Sequence, residues 1–205
     1  MAAAARAVGR LTPKTSALFV CDVQERFRAT IHQSGALIDA SARMVRGCKE
    51  LSVPVVVTEQ YPKALGRTVD ELQQVLPAGV EAVPKTLFSM LVPDVENQLQ
   101  SMKDVNQVML CGLETHVCIL QTAQDLIERG YEVHVLVDAV SSARVQDRDV
   151  ALRRFASGVH PGCFLTTTES ALLQLCGDAK HPNFKAISAM IKEQREAVLG
   201  FTSAL

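Results

Sequence analysis

Short, nearly continuous apolar runs recur along the chain and are separated by longer segments of mixed polarity. The runs cover residues 17–21, 53–57, 108–111, 133–137 (broken only by His134) and 163–165. Uninterrupted rather than alternating hydrophobicity is typical of strands that are covered on both faces, as in a parallel sheet. We therefore interpret these runs as five buried, parallel strands.

The segments between the runs carry apolar residues at helical spacing. This pattern predicts helices over residues 36–51, 93–102, 116–129, 145–156, 169–177 and about 182–197. Alternating strands and helices predict an α/β fold, here a Rossmann-like three-layer sandwich with a mostly parallel, doubly wound sheet in a single domain. The stretch 59–104 contains four prolines and, apart from the helix at 93–102, is predicted to be loops.

Composition narrows the classes of function. The chain has 205 residues, of which 48% are hydrophobic and 21% charged, as in a soluble globular domain. Its net charge is −1 and it has no basic stripe, so we expect no nucleic-acid partner. No apolar run approaches the ~20 residues that span a bilayer, so we expect no membrane insertion.

The cysteines show neither a zinc-binding nor a redox spacing. They are Cys21, Cys48, Cys111, Cys118, Cys163 and Cys176. No C-x-x-C pair occurs among them, and without a secretory signal we expect six reduced intracellular thiols. Five of them read as small core hydrophobes, whereas Cys118 lies on the first turn of a predicted helix.

In a doubly wound sheet the site lies beyond the carboxyl ends of the strands. Asp22, Thr58, the segment 112–118 and Asp138 all follow apolar runs. A thiol becomes a nucleophile when a helix N-terminus or a cation favours its ionised form and a base takes its proton. Cys118 could be such a thiol, with Asp22 as base and Lys85 as cation, or it could be an ordinary buried helix thiol.

Four ordered motifs carry a family resemblance. They are "CDVQERF" (21–27), "PKTLFSM" (84–90), "CGLETHVCILQTAQDLIERG" (111–130) and "VHVLVDAVSS" (133–142). Together they resemble the isochorismatase-like cysteine hydrolase superfamily, over about residues 15–180.

The resemblance implies a role for each matching residue. Asp22 would be the general base, Lys85 its cationic partner, and Cys118 the nucleophile that forms a thioester with the substrate. The family also implies a cis peptide between Leu113 and Glu114, with the amides of Glu114 and Cys118 forming an oxyanion hole. The pocket-lining residues expected beside them are Gln24, Phe27, Thr58, Gln60, Tyr61, Thr115 and His116.

The sequence also departs from parts of the family. Nicotinamidases of this superfamily bind a metal through an Asp-x-His pattern after the second strand, but "TEQYPKALGR" (58–67) contains no histidine. We therefore expect no catalytic metal and no other cofactor. Isochorismate cleavage needs no thiol, so a Cys118 nucleophile favours a small-molecule amide or ester as substrate, of open identity.

We interpret two further residues, His134 within an apolar run and Asp138 directly after it, as structural rather than catalytic. His134 lies inside a predicted strand and reads as a core histidine with satisfied hydrogen bonds. Asp138 reads as a structural carboxylate that bonds loop amides rather than as an acid catalyst.

Two other classes of function compete with a cysteine hydrolase. A catalytically silent scaffold that binds a partner protein stays open, and a nucleotide-binding Rossmann protein is disfavoured because no G-x-G-x-x-G follows a strand.

Residues 1–14 are predicted to be a flexible tail, 15–180 the hydrolase domain, and 181–205 a C-terminal helix and tail packed on the domain or on a neighbouring subunit. We expect a homo-oligomer (a dimer or tetramer) located in the cytoplasm, or in mitochondria because the first twenty residues are basic and lack acids.

Overall fold

A six-stranded, all-parallel sheet forms the centre of the computed structural model, which describes residues 8–195 and 199–200. Its strands are β1 (Ser16–Cys21), β2 (Val55–Gln60), β3 (Ala82–Lys85), β4 (Gln107–Leu113), β5 (Glu132–Ser141) and β6 (Cys163–Thr166). Their order across the sheet is β3-β2-β1-β4-β5-β6. The order reverses between β1 and β4, so the predicted doubly wound, parallel sheet is confirmed.

One strand was not predicted. Strand β3 has only four residues, pairs along one side with β2, and includes Pro84, which cannot donate to a sheet ladder. Such an edge strand needs no continuous apolar run, and the expectation of loops here was wrong. Strand β5 is also longer than predicted, so Asp138 lies within it rather than after it.

Helices cover both faces of the sheet. They are α1 (Ser34–Glu50), α2 (Pro62–Leu65), α3 (Asp70–Gln73), α4 (Pro93–Ser101), α5 (Leu120–Glu128), α6 (Val145–Ala156), α7 (Thr168–Cys176) and α8 (Phe184–Lys192). A 3₁₀ turn spans Glu25–Phe27 and a π-helix spans Thr115–Ile119. The short helices α2 and α3 fall in the stretch expected to be loops.

Alternate residues of each central strand feed two separate cores. In β1, Leu18 and Val20 join the cluster beneath α1, α7 and α8, whereas Phe19 and Cys21 join the cluster beneath α4, α5 and α6. Since side chains alternate across a strand, burial on both faces requires the continuous apolar runs from which the strands were predicted.

The segments at the two ends of the described chain pack on the domain. Of the predicted tail, residues 1–7 lie outside the described residues, and in the remainder Leu11 is buried and its amide donates to Gln174. Helix α8 buries Ile187 and Met190 against α1 and α7, and positions 196–197 of the predicted helix lie outside the description. Among the described residues no helix is both long and apolar enough to cross a membrane.

Candidate active site

Asp22 lies at the centre of a buried polar cluster at the carboxyl edge of the sheet. It follows β1 in a left-handed conformation with φ of 53°. Its Oδ1 accepts a hydrogen bond of 2.7 Å from the Thr58 hydroxyl, and its Oδ2 accepts one of 2.7 Å from the Lys85 ammonium. A carboxylate oxygen has two acceptor positions, so Oδ1 keeps one position for a further proton.

Lys85 ends β3, and four acceptors lie within hydrogen-bond distance of the three N–H donors of its ammonium. Besides Asp22, its Nζ donates to Oε1 of Gln60 at 2.6 Å and to the carbonyls of Leu87 at 3.1 Å and Phe88 at 3.0 Å. Burial alone would lower the pKa of Lys85, but the neighbouring Cys21, Asp22 and Cys118 raise this pKa above its ordinary value. Lys85 is therefore a buried, positively charged group held beside a carboxylate.

Cys118 lies in the π-helix that links β4 to α5. An α-helix was predicted from residue 116. This helical segment instead begins with the wider π-helical turn and becomes α-helical at Leu120. The Glu114 carbonyl accepts bonds from the amides of Val117 (3.0 Å) and Ile119 (3.1 Å), on either side of Cys118 in the chain. The peptide bond between Leu113 and Glu114 is cis.

The three candidate catalytic side chains meet, and a fourth joins them. The Cys21 sulfur, a carboxylate oxygen of Asp22 and the Cys118 sulfur all lie within 4.8 Å of one another. The Cys21 thiol donates to Oδ2 of Asp22 at 3.4 Å, and burial foremost raises the pKa of Cys21 well above its usual value. Sequence reasoning placed Cys21 in the core, where it is, but missed this contact. Its position directly before Asp22 was the available signal.

The same donor set bears on metal binding. Two sulfurs and a carboxylate are suitable ligands for a thiophilic cation such as Zn²⁺. However, the Lys85 ammonium already supplies a positive charge 2.7 Å from the carboxylate. The absence of a catalytic metal stays a prediction.

Three of the expected pocket residues form hydrogen bonds that hold Asp22 and Lys85 in place. Thr58 bonds Asp22, and Gln60 bonds Lys85. The buried Gln24 side chain accepts from the Gln60 amide at 2.7 Å and donates to the carbonyls of Gln60 and Gly66. The D-x-Q motif thus links strand β1 to the residue that holds the lysine.

The other four expected pocket residues occupy different environments. Phe27 packs against the core on the opposite face of the sheet from Cys118, so the structure does not bring it to the thiol. Thr115 is buried, and its hydroxyl has no hydrogen-bond partner among the described residues. Nδ1 of His116 lies 2.9 Å from the Ser142 hydroxyl and 3.4 Å from the Glu114 carboxylate. Tyr61 is half-exposed, and its amide donates to the Lys85 carbonyl.

Asp138 and His134 are buried away from this cluster. Asp138 accepts bonds from the Thr168 amide (2.8 Å) and hydroxyl (2.6 Å) at the start of α7, which confirms its structural reading. His134 stacks on Phe164, but its Nε2 has no partner among the described residues. The expectation of satisfied hydrogen bonds was therefore wrong, and burial lowers the pKa of His134 to about 4.

The candidate site and a large cavity of the protein lie at different places in the fold. A cavity of about 760 Å³ lies between residues 8–12 and α7. At the carboxyl edge Cys118 is 7% exposed, and three half-exposed apolar side chains, those of Tyr61, Leu87 and Phe88, belong to the segments that bond Lys85. At this edge Cys118 is therefore nearly buried, and the segments that bond Lys85 expose apolar side chains.

Comparison with known proteins places this geometry in a family. The family model described as "Isochorismatase domain" matches residues 16–170. A Xenopus laevis protein named isochorismatase domain-containing protein 2 is 47% identical over 188 residues, which are 92% of this chain and 89% of that protein. A Danio rerio protein named isochorismatase domain-containing protein 1 is 49% identical over 90% of this chain, which spans 64% of that protein. A solved Caenorhabditis elegans structure, described as MAR1 ribonuclease, superposes with a TM-score of 0.86 and 42% identity, over 96% of this chain and 97% of that one.

Proposed function

The chain belongs to the isochorismatase family, as its motifs indicated, and from that premise we propose that it is a hydrolase whose nucleophile is Cys118. Asp22 is the general base, and Lys85 is its cationic partner. The observation that supports this proposal is the meeting of the Cys118 sulfur, the Asp22 carboxylate and the Lys85 ammonium at one buried edge of the sheet.

The proposed reaction has two stages. First, Asp22 takes the thiol proton while the Cys118 sulfur attacks the substrate carbonyl carbon, and the leaving amine or alcohol departs with that proton, which leaves a thioester. Second, Asp22 takes a proton from water, the resulting hydroxide attacks the thioester, and the thiol and a carboxylic acid are released. Each stage builds a negative oxygen, for which we propose the amides of Glu114 and Cys118 as donors.

The bonding around Lys85 suits a fixed electrostatic role. Its Nζ is held by Gln60 and by the carbonyls of Leu87 and Phe88, so the ammonium stays beside Asp22 throughout both stages. A preorganised charge in a water-poor site stabilises a developing anion without reorganisation. Lys85 would therefore lower the barrier without exchanging a proton.

The proposed substrate class is a small-molecule amide or ester, cleaved without a metal. The near burial of Cys118 and the half-exposed apolar side chains of the segments that bond Lys85 favour a small, partly apolar molecule. The ribonuclease description of the C. elegans structure raises RNA as a second candidate. The net charge of −1 disfavours it, since non-specific RNA affinity comes mainly from neutralised phosphates.

Exposed apolar side chains support the proposed self-association. Tyr61, Leu87 and Phe88 each leave about half of their surface exposed. Contiguous exposed apolar patches often mark protein–protein contacts. We expect a dimer or tetramer, which light scattering on the purified protein measures directly.

The test is a reaction that leaves a covalent mark. The protein is incubated with p-nitrophenyl acetate, with a panel of amides and esters, and with single-stranded RNA, and is then digested for mass spectrometry. We expect p-nitrophenol release and an acetyl group on the Cys118 peptide, both lost in Cys118→Ala and unchanged in Cys163→Ser or after chelator treatment.

Two outcomes would overturn the proposal. RNA cleavage that persists in Cys118→Ala would favour the ribonuclease reading. An unlabelled Cys118 and no turnover across the whole panel would favour the silent scaffold.

A further inference from the structure

The proposed hydrolysis does not use Cys21, a buried thiol next to its catalytic residues. Cys21 has no exposed surface, yet its sulfur lies within 4.8 Å of the Cys118 sulfur and donates to Asp22. Both thiols belong to the same core cluster, on the face of the sheet covered by α4, α5 and α6. A second thiol beside the proposed nucleophile and its base can take part in a reaction other than the hydrolysis.

We infer that Cys21 and Cys118 form a peroxide-reactive dithiol site, at which Cys118 is oxidised by a hydroperoxide and Cys21 then closes an intramolecular disulfide. In the first step the Cys118 sulfur attacks the outer peroxide oxygen, the O–O bond breaks, and Cys118 becomes a sulfenic acid while the peroxide leaves as an alcohol or water. The thiol proton goes to the leaving oxygen. In the second step the Cys21 sulfur attacks the Cys118 sulfur, the S–O bond breaks, and the hydroxide leaves with the Cys21 proton as water. The two thiols lose two electrons in total, and the peroxide gains two.

The order of the two steps follows from exposure. Cys118 is 7% exposed, whereas Cys21 is fully buried, so a peroxide meets Cys118 first. Cys21 is then the resolving thiol, which needs only to reach a neighbouring sulfur. Asp22, whose Oδ2 already accepts from the Cys21 thiol at 3.4 Å, is placed to take the Cys21 proton in the second step and to pass it to the departing hydroxide, which leaves as water.

The distance between the sulfurs is suitable for closure. A disulfide requires the sulfurs to approach to about 2 Å, which from a separation within 4.8 Å needs a side-chain rotation and a small adjustment of the wide turn at Thr115–Ile119.

Three of the other cysteines provide internal comparisons. Cys48 and Cys111 are fully buried in the core on the other face of the sheet, where a peroxide does not reach them. Cys163 in β6 is the most exposed of the six, but burial still raises its pKa to about 12, which keeps it a protonated, slow thiol. Exposure alone would make Cys163 the first target, and the dithiol site makes Cys118 the first.

This inference rests on the proposed function only in taking Cys118 as a reactive thiol. It requires no turnover of an amide or ester, so the two can fail separately. A protein that hydrolyses esters but forms no disulfide would retain the proposed function and lose the dithiol site. A protein that forms the disulfide but hydrolyses nothing would do the reverse.

The test is a peptide map of the oxidised protein. The fully reduced chain is treated with a small excess of hydrogen peroxide near neutral pH, its remaining thiols are blocked with an alkylating reagent, and it is digested without reductant. We expect the loss of two of the six thiols, a linked pair of peptides that contain Cys21 and Cys118, and full recovery of both thiols with dithiothreitol.

Variants separate the resolving role of Cys21 from a merely structural one. In Cys21→Ser we expect no linked peptide and irreversible oxidation of Cys118 to sulfinic acid, whereas Cys163→Ser behaves as the wild type. The wild-type map decides alone if Cys21→Ser does not fold. A wild-type protein in which Cys118 goes directly to sulfinic acid, or in which Cys163 oxidises first, would overturn the inference.

Discussion

The Lys85 ammonium and the Asp22 carboxylate form an ion pair at 2.7 Å, with side-chain exposures of only 0% and 2%. Lys85 is the last residue of β3, and Asp22 directly follows β1. Strand β2 lies between these two strands in the sheet. Removing two charges from water is costly, so a pair this deeply buried persists only with full hydrogen bonding. Thr58 and Gln60 supply that bonding, one to each partner.

Breaking this pair should destabilise the protein strongly. Lys85→Met leaves a buried carboxylate without its cation, for which we expect a loss of about 3–5 kcal/mol in the free energy of unfolding, measured by urea denaturation. The double variant Asp22→Asn/Lys85→Met should recover much of this loss. Lys14→Met is the control, because the exposed pair between Lys14 and Asp104 should contribute less than about 1 kcal/mol. A loss in Lys85→Met as small as in the control would refute the buried-pair account.

Gly112 controls the spacing of the strands at the point where their order reverses. Its φ is 116°, and an added Cβ would overlap the Cys21 carbonyl oxygen. We expect Gly112→Ala to lower the unfolding free energy and the alkylation rate of Cys118 together, because the backbone of Cys21 must shift. Gly35→Ala, where no atom lies within 4 Å of the added Cβ, should change neither by much. Normal stability and labelling in Gly112→Ala would contradict this.

Asp138 should matter for stability and not for chemistry. Asp138→Ala removes both acceptors of the Thr168 amide and hydroxyl, which are buried at the start of α7. Each unsatisfied buried group costs about 1–3 kcal/mol, so we expect a clear loss in the free energy of unfolding. The alkylation rate of Cys118 in the folded protein should stay the same, and a large fall in that rate would give Asp138 a role at the site.

His134 should make stability depend on pH. Its pKa is about 4 in the folded chain, against an ordinary value of 6.5, so between these pH values the unfolded chain binds more protons. The contribution of neutral His134 is complete above about pH 6.5 and is lost as the pH falls towards 4, by about 3 kcal/mol in total. His134→Gln should therefore show a shallower pH dependence of the unfolding free energy than the wild type or His32→Gln. Equal slopes in all three proteins would exclude this linkage.

Much of the fold could be predicted because the buried strands repeat one signal. The strands β1, β2, β4 and β5 are covered on both faces, which forces the continuous apolar runs. Strand β3 could not be found this way, because it is a short edge strand in which Lys85 is buried by polar contacts rather than by apolar ones. The π-helix at Thr115–Ile119 is a single turn of five residues, which is too short for the hydrophobic pattern to distinguish its i→i+5 bonding from that of an α-helix.

The candidate site was predictable to a different extent. The topology rule placed Asp22 and the segment around Cys118 at one edge, and the ordered motifs added Lys85. The contact between Cys21 and Asp22 depends on the left-handed turn at Asp22, which no residue type specifies in advance. The roles of Gln24 and Gln60 as supports for Lys85, rather than as pocket walls, likewise depend on side-chain directions.

The rate at which each cysteine is alkylated tests the central claim most directly. The protein is treated with iodoacetamide near neutral pH, and the labelling of all six cysteine peptides is followed by mass spectrometry. We predict that Cys118 is labelled first although Cys163 is more exposed, and that Asp22→Asn and Lys85→Met slow its labelling by about tenfold or more. Labelling of Cys163 should be unchanged in both variants. Labelling of Cys163 ahead of Cys118, or equal Cys118 rates in wild type and both variants, would contradict the account.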